Sequence, residues 1–294
     1  MGPSRQPLAC ARWHFQHGPI DLVIGADGEP QAVAAAHESA WARFTEVLPE
    51  LVRELPQLRQ AVTPASAAPC PLRGPIARRM WAACAPFRQG FITPMAAVAG
   101  AVAQEIVAHY QRTGITRAWV NNGGDIALHL APGHRVRVGL WSDLARFEHL
   151  APQPALPTDA QFAITADLPV RGVATSGWRG RSFSLGIADS VTVLGVDAAS
   201  ADAAATVIAN AVNLDDARIA RRPASALRDD SDLGERLVTV DVPALPAAQV
   251  HAALQAGLDC ALALRARGLI WHAALVCQGR WCSTDATETQ PLVQ

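Results

Sequence analysis

RGVATSGWRGRSFSLGIADSVTVLGVDAASADAAATVIANAV, residues 171–212, is the stretch whose reading decides the fold. It opens on a loop rich in Gly, Ser and Thr, runs through Asp189-Ser190-Val191-Thr192-Val193-Leu194, and closes on the small-residue segment Ala201 to Asn210. The β-branched run reads as a buried strand, and the Ala-rich segment as a helix of high propensity and little bulk. Such a helix packs close to a neighbouring backbone or to a ligand. Asp202 and Thr206 are four apart, so they share one helical face and bring two oxygens to one spot. The stretch therefore predicts a strand, a tight helix and a site together.

Two segments upstream carry related signals. In Ala118 to Leu128, two strands flank Asn121-Asn122-Gly123-Gly124-Asp125, where the glycines supply the positive φ of a tight reversal. Two Asn side chains and Asp125 are more polar groups than a turn needs. In Gly90 to His109, Thr93 suits an N-cap and Pro94 a first helical turn, which predicts one helix running to Tyr110 and ending near Gly114. Its Ala97, Gly100, Ala101 and Ala103 permit close packing. Its N-terminus at Thr93 is expected to offer free N–H groups to an anion such as phosphate.

The rest of the chain supplies the frame. Arg12 to Gln16 and Ile20 to Ile24 read as an opening hairpin, ended by Asp27-Gly28. Glu29-Pro30 starts a long amphipathic helix to about Leu55, with Ala34, Trp41, Phe44, Val47, Leu48, Leu51 and Val52 inward. Pro56 stops or kinks it, and residues 63–75 form a loop. Ile76 to Cys84 predicts a short helix with Arg78 and Arg79 outward and Met80 and Trp81 inward. Arg135 to Trp141 and Gln161 to Leu168 are strands around an irregular segment, 143–157. After the decisive stretch come a solvated excursion over 215–232, a strand at Leu237 to Val242, a helix from Pro246 to Arg267, a strand at Leu269 to Val276 and a frayed tail from Ser283. The pattern predicts an α+β (mixed α/β) fold with antiparallel-rich sheets packed against long helices. Its 294 residues suit one domain or two intimately packed subdomains.

Composition narrows the function classes. Half the residues are hydrophobic and the net charge is −1, which implies a sizeable core and excludes a nucleic-acid footprint. With no run of eighteen apolar residues and no apolar leader, a cytoplasmic protein with no membrane partner is expected. The six cysteines form no Cys-x-x-Cys pair. A hairpin turn over Gln278 to Trp281 would bring Cys277 and Cys282 across from each other, although a strand pair without a bond is the expected arrangement. Small-residue helices and apolar strands are compatible with a homodimer.

There is no P-loop, dinucleotide fingerprint, His-Glu-x-x-His or Gly-x-Ser-x-Gly, and the nine His are dispersed. What remains is a set of polar residues: Thr93, Asn121, Asn122, Asp125, Thr175, Ser176, Arg179, Arg181, Asp189, Asp202 and Thr206. Hydroxyls, amides and Gly-exposed backbone suit a phosphate-bearing small molecule, with Arg supplying counter-charge. Asp202 with Thr206 offers hard oxygens suited to Mg²⁺. The bland alternative for Asp202 is a helix N-terminal charge worth under about 1 kcal/mol.

Asn122-Gly123-Gly124-Asp125-Ile126, Ala174-Thr175-Ser176-Gly177, Ser190-Val191-Thr192-Val193 and Ala201-Asp202-Ala203-Ala204-Ala205-Thr206 occur in the order of the ApbE-like superfamily, whose name-giving members are FAD:protein FMN transferases. Thr93 to Gly100 and Arg181 to Asp189 resemble a side branch of it. The resemblance spans roughly Thr93 to Val212. It implies a mixed α/β fold with a site for FAD or FMN, lined by Asn122, Gly123, Gly124 and Asp125 and by Thr175, Ser176 and Gly177. It also implies that Asp202 and Thr206 match the transferases' magnesium ligands. The transferases' His-His-x-x-Asp-Pro segment is absent: its place holds Ser184-Leu185-Gly186-Ile187-Ala188-Asp189. Pro94-Met95-Ala96-Ala97 likewise replaces their Lys-Gly helix start. FMN transfer onto a protein Thr is therefore not assumed.

Three expectations stand. One is a cleft binding a phosphorylated, ring-bearing molecule of flavin-nucleotide type, with Asp189 as base and Arg179 or Arg181 holding negative charge if a transferase or hydrolase-type reaction occurs. The resemblance also points to a step in making a pterin cofactor of one-carbon metabolism. The third is a non-catalytic binding subunit.

Overall fold

Period-two alternation builds the first strands. In β2 (Arg12–His17) and β3 (Ile20–Gly28), Phe15, His17, Ile20, Leu22 and Ile24 are buried on one face, while Gln16 between them is exposed. The strands reverse at Gly18-Pro19, with His17 opposite Ile20, as the hairpin pattern predicts. The structure is a computed structural model and describes residues 2–64, 70–140, 160–288 and 290–291. The fold is mixed α+β. The chain divides into two compact units, one of residues 1–136, 163–174 and 195–203, the other of 137–162, 175–194 and 204–294.

The first unit's sheet runs β1 (Ser4–Leu8), β2, β3, β4 (Ile115–Asn122), β5 (Asp125–Leu130) and the start of β8 (Gly172–Ser176), with antiparallel neighbours. β1 has no signature in its sequence, Ser-Arg-Gln-Pro-Leu, and is held by a side chain. The Arg5 guanidinium lies 5.4 Å from the Trp13 ring and 5.2 Å from that of Trp41, and Nη1 reaches Glu38 at 2.8 Å.

Against this sheet lies α1 (Pro30–Arg53), started by Pro at its first turn. It buries Ala36, Ala40, Phe44, Val47 and Leu51, a spacing of three and four. Phe44 and Phe15 are both fully buried, with rings 5.4 Å apart; each such side chain stabilises by about 1.5–3 kcal/mol. The helix ends at Arg53, and Pro56 falls in the separate turn α2 (Leu55–Leu58). α3 (Pro75–Cys84) buries Ile76, Ala77, Met80, Ala83 and Cys84, so Trp81 is only half-buried. Arg78 is exposed, but Arg79 turns to Glu105 at 2.8 Å, which Arg43 also engages at 2.8 Å. Glu105 lies in α4 (Val98–Val107), so charge pairing overrides the outward placement expected for Arg79.

The continuous helix expected from Thr93 to Tyr110 is instead three pieces. Pro94–Ala97 is a 3₁₀ turn, Ala97 (φ −127°, ψ 15°) breaks the ladder, α4 follows, and Ala108–Tyr110 is again 3₁₀. β6 (Arg135–Leu140) pairs with β7 (Ala160–Thr165), and the irregular segment expected at 143–157 lies outside the described residues.

In the second unit, β9 (Ser190–Gly195, its last residue in the first unit) is buried along its whole length. It pairs with β12 (His272–Cys277), which is followed in the sheet by β13 (Arg280–Ser283) and β14 (Gln290–Pro291). The helix predicted from Ala201 is α5 (Ala198–Ala211), which continues from one unit into the other. α6 (Ala247–Ala266) sets Val250, Leu254, Leu258, Ala261 and Leu264 inward, towards β12 and β13. The excursion over 215–232 contains β10 (Ala220–Pro223), paired with β11 (Leu237–Asp241).

The β12–β13 turn is the two-residue pair Gln278-Gly279, which places Cys277 opposite Arg280 and Cys282 opposite Leu275. Both thiols are free. A shorter turn than the one needed for pairing has shifted the register. The segment after β13 is fastened rather than frayed. Thr284 is buried, with Oγ1 3.0 Å from His272 Nδ1; Asp285 Oδ2 is 3.0 Å from the same nitrogen, and Arg265 Nη1 donates to Asp285 at 2.7 Å. Hydroxyl and carboxylate share one ring nitrogen, whereas a nucleophile–His–Asp relay uses both. The cluster is a clasp.

Candidate functional site

The β4–β5 reversal sets the first part of the site. Asn122 pairs with Asp125 across Gly123 (φ 64°) and Gly124 (φ 114°), dihedrals that only glycine adopts readily. Facing partners in a ladder point to one side, so Asn122 and Asp125, both buried, project from the same face. Asn121 points the other way in the pleat, and its Oδ1 accepts the Gly124 N–H at 2.8 Å. The two adjacent Asn residues have different tasks.

The broken start of α4 forms the second part. Thr93 is buried, and its carbonyl accepts from Cys84 Sγ and from Ala96 N–H. The first amides of α4, which lack helical partners, turn to Asp202. Gly100 N–H donates to its Oδ2 at 2.9 Å, and Ala99 N–H supports the same carboxylate. On the other side of that peptide, Asn122 Nδ2 donates to the Ala99 carbonyl at 3.1 Å. The free helix-start amides expected at Thr93 lie instead six and seven residues on, at Ala99 and Gly100, and are met by a carboxylate from α5.

The approach is close: a Cβ on Gly100 would lie 2.2 Å from the Ala198 carbonyl oxygen. The N-terminus of α5 has its own partners, since Ser200 N–H donates to Asp197 at 2.8 Å and Ala199 N–H to Gln104 at 3.3 Å.

Burial, and after it the negative charge of Asp125, hold the Asp202 carboxyl well above the usual carboxylate range, while the Gly100 and Ala99 amides pull the other way. Two carboxylates in one poorly solvated place favour either a shared proton or a bound cation. Among the described residues no three His, Cys, Asp or Glu side chains gather as a metal cage, so any cation here would keep waters or use ligand oxygens. Thr206 lies one turn beyond Asp202 on α5 and is half-buried.

The remaining candidates belong to the second unit. Thr175 Oγ1 is 3.0 Å from Thr192 Oγ1 across the strands, Ser176 is half-buried, and Gly177 is buried. Arg179 and Arg181 are exposed; the Arg179 guanidinium lies 4.9 Å from the Trp178 ring, with Nε 3.9 Å from Asp189 Oδ1. Asp189 Oδ2 accepts the Gln278 N–H at 2.5 Å, and its N–H donates to Val276 at 2.9 Å. The carboxylate expected to act as a base therefore also anchors the β12–β13 turn.

Segment 184–189 is tied to α5. Asn210 Oδ1 accepts from Leu185 N–H at 2.9 Å and from Ser184 Oγ at 3.2 Å. Asn210, Asp197 and Gln278 escaped the sequence analysis. Only Asp197, three residues before Ser200 at a helix start, carries a local capping signal.

The family model described as AbpE bacteria matches residues 5–283. A UPF0280 protein of Methanothermobacter thermautotrophicus is 38% identical over 141 residues, covering 48% of this chain and 50% of the relative. One from Methanosarcina acetivorans is 31% identical over 215 residues, covering 72% of this chain and 77% of the relative. The chain spans about half the length of the first of these relatives. The solved Flavin Transferase ApbE from Vibrio cholerae aligns over 98% of this chain and 97% of its own, at 13% identity and a TM-score of 0.37. The ApbE protein from Thermotoga maritima aligns over 98% and 96%, at 12% identity and a TM-score of 0.36. Among the described residues no helix is long and apolar enough to cross a membrane.

Proposed function

The chain belongs to the AbpE bacteria family, and from that premise we propose that it binds a phosphorylated, ring-bearing small molecule of flavin-nucleotide type together with a divalent cation. The observation carrying this is the Asp125–Asp202 pair: Asp125 is buried, and the half-buried Asp202 is held by the Gly100 and Ala99 amides at the start of α4. A hard cation relieves their mutual repulsion, and oxygen donors suit Mg²⁺. Asp202 and Asp125 would hold it, with Thr206 one turn along α5. When bound, the cation supplies counter-charge for phosphate oxygens.

For the ligand itself, Asn121 and the open backbone of Gly123 and Gly124 in the first unit would supply amides. The second unit carries its own candidates, the hydroxyls of Thr175 and Ser176 beside Gly177 and the positive charge of Arg179 and Arg181. Asp189 is the proposed proton acceptor, steadied by the Gln278 N–H. FMN transfer onto a threonine is not part of the proposal, because segment 184–189 has no His.

The test is the unfolding midpoint of the full chain with FAD, FMN or a reduced pterin, each with and without MgCl₂. A ligand at a hundred times its Kd stabilises by about 2.7 kcal/mol, or roughly 5–10 °C for a chain of this size. FAD or FMN should give that rise only with Mg²⁺, and Asp202→Ala should abolish the Mg²⁺ requirement together with the rise. No response to either flavin sinks the proposal; a response to the pterin alone replaces the ligand class.

A further inference from the structure

We infer that Asn122 is a positioning residue for the Asp125–Asp202 pair rather than a ligand contact; this rests on the cation reading above. Its amide nitrogen is committed to the Ala99 carbonyl at 3.1 Å, and the side chain is 4% exposed. The next amide in the chain, Gly100 N–H, holds Asp202 Oδ2 at 2.9 Å. Asn122 is also the direct ladder partner of Asp125. One buried side chain therefore ties the turn carrying Asp125 to the helix start that fixes Asp202.

Without that bond, the α4 start and the β4–β5 turn lose a directional tie, and apolar packing does not specify a carboxylate separation to a few tenths of an ångström. Cation affinity depends on that separation, because donors that must move to converge bind more weakly. Asn122 thus acts through Ala99 and Gly100 on the geometry of two other residues.

The experiment titrates MnCl₂ into the full chain and follows the unfolding midpoint, with folding checked by far-UV circular dichroism. Asn122→Leu keeps the approximate volume without a donor, and Asn122→Ala removes both. Tyr110→Phe is the control: it deletes a buried 2.7 Å bond to His37 in the same unit, far from the pair in its bonding. Both Asn122 variants should need about tenfold more Mn²⁺ or beyond to gain the wild-type increment, on the scale of groups that orient metal ligands. Tyr110→Phe should lower the midpoint with and without Mn²⁺ equally, leaving the increment intact.

A purely structural Asn122 would behave like Tyr110, and that result overturns the inference while the cation proposal stands. No Mn²⁺ response in the wild-type chain takes down both. Should Asn122→Ala not fold, Asn122→Leu decides alone.

Discussion

Gly100→Ala tests the packing on which the candidate site rests. In an ordinary helix the change favours the folded state by up to about 1 kcal/mol. Here the added Cβ would lie 2.2 Å from the Ala198 carbonyl oxygen and 2.6 Å from its carbon, against an ordinary contact of 3.4 Å or more. The obstacle is backbone in the first turn of α5, which the Asp197–Ser200 bond holds in place, so no side chain can swing aside. Relieving it moves α4 off α5 by about 1 Å, an overpacking cost of about 1–3 kcal/mol. The same movement stretches the Gly100–Asp202 bond, a charge-assisted contact worth about 1.5–3 kcal/mol. After the propensity gain of about 1 kcal/mol the net loss is about 1.5–5 kcal/mol, or roughly 3–20 °C in midpoint. Urea and thermal unfolding, followed by Trp fluorescence and circular dichroism, measure it directly. Gly90→Ala, whose Cβ would meet only the Phe87 carbonyl at 3.8 Å, serves as control and should change little. A Gly100→Ala protein as stable as wild type would refute the tight α4–α5 contact.

Two further outcomes follow from the ionisable groups. Burial first of all lowers the pKa of His37, His109 and His272 below 6.5, so the folded state prefers their neutral forms. Their contribution is then present above about pH 6.5 and lost as pH falls through the lower folded values. These rings should lower the midpoint between about pH 6.5 and 5, against the opposite contribution of Asp202, whose raised pKa favours the folded state on acidification. His272→Gln should shift the slope of midpoint against pH towards a rise on acidification, and a slope equal to the wild type's contradicts the burial of that ring. Burial, with the Asp189 charge second, pushes the Cys277 thiol up to about 12, and burial pushes Cys282 up to about 11. Under native conditions a thiol reagent should label the exposed Cys10 readily and reach those two only on unfolding; native protein linked through Cys277 and Cys282 would overturn the β12–β13 register.

What was legible from sequence was local. The run Ser190 to Leu194, the Ala-rich helix and the Asn-Asn-Gly-Gly reversal each state their geometry within a few residues, and the structure follows them. The broken start of α4 was not legible: Ala97 carries no turn chemistry, and the break is visible only through the partner that Gly100 finds 102 residues away in Asp202. Asp189 shows the same limit, since its bond to the Gln278 amide joins positions 89 apart. β1 was missed because Pro7 and the charged Arg5 argue against a strand; cation–π contacts with two indoles override them. Periodicity reveals which face is buried, but it is silent on which distant donor meets which acceptor.

The Arg5 staple also bears on how the protein meets its own copies. A sheet border with open amides and carbonyls invites another strand, and crowded solutions turn that invitation into aggregates. On the β1 side the border is a five-residue segment in which Pro7 has no amide proton to donate and Arg5 is drawn onto Trp13 and Trp41. An incoming chain would meet a short, proline-interrupted ladder beside a fixed cation. The first unit's sheet thus carries its own terminator, written in the residues that made its outermost strand hardest to foresee.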